Sequence, residues 1–366
     1  MTDSPPPRAD GPTSDAAPPP TPISQPDAAA PLASPAAATE STTAESPPLA
    51  AVRPLGLTRF TIEGRRAPGL FVVGWLSMIV AAGLASIAFF GTTGVAGSVL
   101  WFLSFIASAA GLILLGGSET VERRGLVSYR GPSPLVVLFA VIVITQLAGY
   151  ALGVPLSAIG ASIPRPVGDL IAVGVQALVF VGVVRLMVVG PGALSWREMG
   201  LTPGGTDALR GLLGGAIFAG PVILVTVVIA ALAVQLVGQA PPSPLPPTGT
   251  AAGLVLHLIA GAVVAPVAEE ILFRGFALTA WRRLVGARAA VIRTTIVFVL
   301  AHVLFVTGDT FGDTAALAFV GGVGRIPIAL ALGWLFVRTG SLWGPIGLHA
   351  AFNGILILIA EAASRA

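Results

Sequence analysis

The chain has 366 residues, of which 55% are hydrophobic and 10% charged, with a mean hydropathy of +0.90. Soluble globular chains carry charge at about a quarter of their positions, so that class is excluded and a polytopic helical membrane protein is expected. With no cysteine, a disulfide framework, thiolate zinc ligands and a cysteine nucleophile are excluded too. The 20 basic residues, all arginine, and the formal charge of +3 are spread over loops rather than gathered into a stripe, so no nucleic-acid partner is expected. Arginine-only usage with an Ala-, Gly- and Pro-heavy make-up points to a GC-rich coding sequence and a bacterial cell membrane.

Residues 1–58 are Pro, Ala, Ser and Thr with few large apolar side chains, a composition that cannot bury enough surface to offset chain entropy. This tail is predicted to be disordered. No secretory signal peptide is expected, because the first apolar run begins only near Gly69. Residues 59–366 read as a transmembrane helical domain. Apolar runs that reach the roughly 20 residues a bilayer needs recur at 70–90, 94–116, 134–158, 168–190, 209–238, 252–280, 289–307, 315–337 and 342–360. The fold class is therefore all-α, a transmembrane bundle of eight or nine spans, with nine drawn.

Arginines mark the cytoplasmic loops. Arg53, Arg59, Arg65 and Arg66 precede the first run; Arg123, Arg124 and Arg130 follow the second, Arg197 and Arg210 the fourth, Arg282, Arg283, Arg288 and Arg293 the sixth, and Arg338 the eighth. These fall on one side of the membrane, which places the N-terminal tail in the cytoplasm.

Within the sixth run stand Glu269, Glu270 and Arg274. Ionised groups at membrane depth are costly, and they mark function. The chain has three histidines, and two lie in later runs: His302, four residues after Phe298, and His349, four residues before Asn353. Counted at about 1.5 Å per residue from the flanking arginines, Arg274, His302 and His349 lie roughly 12–17 Å from the cytoplasmic boundary. Glu270 and Arg274, spaced i,i+4 with the acid first, form a same-face ion pair. Glu269 points about 100° away and has no local cation, which suits a general base acting on water. His349 and Asn353 also share a face and aim donors at one point, as an oxyanion requires. His257 lies about 18 Å along the helix from Glu269 and is read as structural. Pro266, one turn before the glutamates, has two readings: it loosens that helix and frees carbonyls near the site, or it is a simple tolerated kink.

The three motifs, Glu-Glu-x-x-x-Arg at Glu269, Phe-x-x-x-His at Phe298 and His-x-x-x-Asn at His349, together resemble the pattern of the CPBP (ABI) intramembrane proteases, which include the type II CAAX prenyl endopeptidases. The segment from Arg325 to Gly354 is similar to that family's closing helices, and the resemblance covers about residues 250–360. It implies an intramembrane endopeptidase in which Glu269 and His302 activate water against a peptide carbonyl, His349 and Asn353 stabilise the oxyanion, and Glu270 and Arg274 support them. The expected partners are a peptide or membrane-protein substrate and the lipid bilayer. Two mechanisms stay open: zinc held by Glu269, His302 and His349 with a water in the fourth position, or a metal-free glutamate base. Two other classes use the same residues: a non-catalytic immunity or scaffold relative that binds a membrane peptide, and a proton-coupled transporter.

Overall fold

The computed structural model describes residues 53–160, 162–241 and 245–365, all within the unit Ala51–Ala366. The disorder expected of the tail lies, as far as Val52, outside the described residues. At the other end of that expected tail, Leu57 packs against the main core and the Gly56 carbonyl accepts a hydrogen bond from Arg65 at 3.1 Å.

Among the described residues the chain forms helices and no strand. In chain order they are α1 (Pro68–Phe90), α2 (Gly94–Arg123), α3 (Pro134–Ala158), α4 (Arg165–Val189), α5 (Thr206–Val237), α6 (Ala251–Val285), α7 (Ala287–Val303), α8 (Phe311–Thr339) and α9 (Trp343–Ala363). All but α7 are long and apolar enough to cross a membrane, which makes eight candidate spans among the described residues. The ninth run, 289–307, is cut short because its helix stops at Val303 after 17 residues, about 25 Å. The apolar residues from Leu304 to Val306 lie beyond the helix.

Local chemistry sets the ends. Pro68 and Pro134 open α1 and α3, where a missing N–H costs nothing. Thr310 and Asp313 form a capping box at the start of α8, satisfying two orphan donors reciprocally. Gly238 and Gly340 close α5 and α8 in the left-handed conformation, at φ 74° and 66°, which glycine adopts without strain. The outer faces remain apolar: Leu178, Leu224 and Leu236 are exposed, as a lipid-facing surface permits.

The centre is α6. From Ile271 to Trp281 every residue is buried, as in a helix enclosed on all sides, and α6 packs against α4, α7 and α9. α9 is set in place by backbone contact with α5. A Cβ at Gly347 would overlap the Leu212 carbonyl, and one at Gly215 would overlap the Gly344 carbonyl. Small residues thus let two membrane helices approach to backbone distance. In the last turn of α6, Arg283 bonds Glu198 at 2.8 Å; with the Ser195 hydrogen bonds this holds the Glu198 carboxyl down at about 2.

Candidate active site

The helix that carries the two glutamates is not regular. α6 is α-helical over Ala251–Leu258, widens to a π turn over Ile259–Val264, returns to α over Ala265–Glu270, widens again over Ile271–Leu278 and ends as α over Thr279–Val285. Such π turns recur at functional sites. In the first, the Ala265 N–H donates to the Ala260 carbonyl, five residues back. The next donor in that pattern would be residue 266, a proline, so the Gly261 carbonyl has no helical partner. Asn353 Nδ2 on α9 donates to it at 2.8 Å.

Glu270 and Arg274 are fully buried and paired at 2.9 Å. Arg274 also donates to the Ala329 carbonyl of α8 at 3.3 Å. The same Glu270 oxygen that pairs with Arg274 lies 2.8 Å from His349 Nδ1. Since a carboxylate only accepts, Nδ1 carries the proton and Nε2 of the neutral ring is an acceptor. His302 repeats this arrangement: its Nδ1 donates to the Phe298 carbonyl at 2.7 Å, leaving Nε2 free to accept. Phe298 fills the space between these groups, with its ring centroid 4.4 Å from that of His302 and 6.0 Å from that of His349. The Arg274 guanidinium lies 4.5 Å over its face.

Both imidazoles turn Nε2 toward Glu269. Glu269 Oε2 is 3.6 Å from His302 Nε2 and 4.0 Å from His349 Nε2, and this buried oxygen makes no hydrogen bond. Three acceptors thus face one another at separations too long for direct hydrogen bonds. Of the three, Glu269 Oε2 is the buried acceptor left without a donor.

Zinc held tetrahedrally at about 2.0–2.1 Å brings its donor atoms to about 3.3–3.4 Å of one another. The 4.0 Å between Glu269 and His349 is wider. Among the described residues no group of three His, Asp or Glu is spaced to hold a metal ion. As arranged, the donor set does not fit zinc.

The structure brings Glu269, Glu270, Arg274, His302 and His349 into one cluster, with Asn353 one turn beyond His349. It does not bring the His349 and Asn353 donors to a shared free point: Nδ1 of His349 is turned to Glu270 and one amide N–H of Asn353 to Gly261. His257 pairs with Asp169 of α4 at 3.0 Å, away from the cluster, in line with a structural role. Sequence reasoning passed over Arg325 of α8, whose charge bears on both Glu269 and His302. The signal was present, since an arginine in the middle of an apolar run is as costly as the glutamates.

A lipid-facing helical bundle thus encloses a carboxylate–histidine cluster in which the buried Glu269 Oε2 makes no hydrogen bond. Residues 251–355 match the family model for type II CAAX prenyl endopeptidase Rce1-like proteins. The resemblance carried by the three motifs is thereby borne out over the segment that contains them, and at family level it supports a CAAX-type intramembrane protease. α1 to α5 lie outside the match. No curated protein and no solved structure matches the chain.

Proposed function

We propose that the protein is an endopeptidase that cleaves a membrane-associated or CAAX-like peptide with water activated by Glu269. The observation that carries this reading is the convergence of Glu269 Oε2, His302 Nε2 and His349 Nε2 on one gap, with the glutamate oxygen lacking a hydrogen bond. A water in that gap donates one hydrogen to Glu269 and one to His302, which turns its lone pair outward toward a peptide carbonyl. As the O–C bond forms, Glu269 takes the proton, and the carbonyl oxygen becomes an oxyanion. Asn353, one N–H of which is tied to Gly261, offers its second. The oxyanion's second donor is His349: its Nε2 takes up a proton from solvent, and Glu270 beside Nδ1 holds the imidazolium so formed. Collapse breaks the C–N bond, and the proton on Glu269 passes to the leaving amine.

Glu270 and Arg274 act through His349: their pair fixes the ring so that Nε2 faces the gap. The N-terminal tail lies in the cytoplasm in this reading, on the arginine distribution. Purified protein in detergent, incubated with a library of prenylated and unprenylated peptides, tests the assignment. Fragments that appear with wild-type protein and not with Glu269→Gln support it; binding without cleavage identifies the scaffold class instead.

A further inference from the structure

Away from the glutamate–histidine cluster, an open groove of about 400 Å³ runs between α5, α8 and the start of α9, within the size range of pockets that hold small ligands. Its mouth lies where α5 begins, α8 ends and α9 begins, at one boundary of the membrane, and is lined by Asp207, Arg210, Thr339 and Ser341. From there it follows α5 inward as far as Phe218, with Leu335 of α8 on the opposite wall. Asp207 to Phe218 is about 16 Å along the helix. Gly214 opens onto this trough: a Cβ there would meet no atom within 4 Å, whereas one at Gly211 would lie 2.8 Å from Trp343 Cβ. The rim is aromatic and faces outward. Phe218 and Trp334 are exposed, their ring centroids are 6.0 Å apart, and the Arg338 guanidinium lies 5.8 Å over Trp334.

The mouth offers donors to an anion. Arg210 meets Asp207 at 3.4 Å, but the two side chains are 80% and 93% exposed, so the pair is weak and leaves the guanidinium fork open to a phosphate. Ser341 Oγ accepts from the Trp343 N–H at 3.3 Å and keeps its own hydrogen to donate, while Thr339 gives its hydrogen to the Leu335 carbonyl. A cationic mouth at the membrane boundary that leads into an apolar trough along a spanning helix has the polarity of one lipid molecule. We propose that this groove binds a phospholipid with an anionic headgroup, its phosphate at Arg210 and Ser341 with Arg338 adding charge at the rim, and one acyl chain along Gly214 and Phe218 against Leu335. A soluble anion leaves the apolar trough unfilled. The lipid stands beside the seam where Gly215 of α5 meets the Gly344 carbonyl of α9, the helix that carries His349. The proposal is independent of the peptidase reading, because binding alone reports it.

The test takes the full chain, delipidated in detergent, and titrates it with phosphatidylglycerol or phosphatidylcholine of identical acyl chains, counting bound lipid by native mass spectrometry. Wild type should saturate with one phosphatidylglycerol, bound about 10- to 30-fold more tightly than phosphatidylcholine, at roughly fivefold for each arginine. Arg210→Gln should lower that preference to about fivefold, and Arg210→Gln with Arg338→Gln should abolish it. Gly214→Leu fills the trough from a position that touches no other group, and should lose the bound lipid of either kind. Equal affinity of wild type for the two lipids, or a filling that never saturates, overturns the headgroup site; undiminished binding to a folded Gly214→Leu overturns the groove. Should Gly214→Leu fail to fold, the arginine variants decide, since both side chains are exposed: a preference unchanged in the double variant overturns the proposal. Displacement of the lipid by glycerol phosphate at similar concentration overturns it in favour of a soluble anion, and a two-chain mass that Gly214→Leu abolishes overturns it in favour of an interface between copies.

Discussion

Asn353 supplies to the Gly261 carbonyl the hydrogen bond that Pro266 lacks the N–H to make. The two residues come from helices α9 and α6, and their pairing joins the histidine helix to the glutamate helix just where the latter widens. Asn353→Ala leaves a carbonyl unsatisfied in the bundle, at a cost of about 1–3 kcal/mol, read as a lower unfolding temperature in detergent. In a Pro266→Ala background a backbone N–H is restored, and the same Asn353→Ala change should cost less. Equal costs in the two backgrounds would show that the proline and the asparagine are not coupled.

Glu270 serves two partners through one oxygen, Arg274 at 2.9 Å and His349 at 2.8 Å. Removing either charge strands the other where no water reaches it. Glu270→Gln and Arg274→Ala should each lower stability by about 3–5 kcal/mol, and each should lower turnover as well because His349 loses its orientation. Thermal melts unchanged in both variants would contradict the burial of the pair.

Much of this was legible in the sequence because membrane helices declare themselves by apolar length, and the observed helices begin and end within a few residues of the expected runs for α1, α3 and α4. The Glu270–Arg274 pair was legible for a similar reason, since i,i+4 spacing on a helix fixes which side chains meet. The π turns were not. Nothing in the apolar pattern of Ile259–Leu278 separates a bond to the fourth residue back from one to the fifth, and Pro266 was the one local sign. The early end of α7 was hidden because Leu304, Phe305 and Val306 are as apolar as the helix they follow. Arg325 was read as part of a similar segment rather than as a charge to be accounted for. The shared role of Glu270 depends on how α6 and α9 cross, which the sequence of neither helix contains.

The proposed orientation has the tail inside and the proline-rich loop after α5 outside. A cysteine placed at Pro241, in a chain that has no other cysteine, should label with an impermeant maleimide in intact cells. Labelling only after permeabilisation would invert the orientation and place the site at the same depth from the opposite face.

The central claim is that Glu269 activates water with no metal in the step. Its most direct measurement is the single-turnover rate of peptide cleavage by wild type and Glu269→Gln, each before and after exhaustive treatment with a zinc chelator, with metal content recorded. The account predicts that Glu269→Gln, folded as wild type by thermal melt, is slower by about 10²–10⁴-fold, the range a positioned acid–base group supplies, and that chelation leaves the wild-type rate unchanged. A wild-type rate that falls with chelation and returns with stoichiometric zinc, or a Glu269→Gln rate close to wild type, would contradict it.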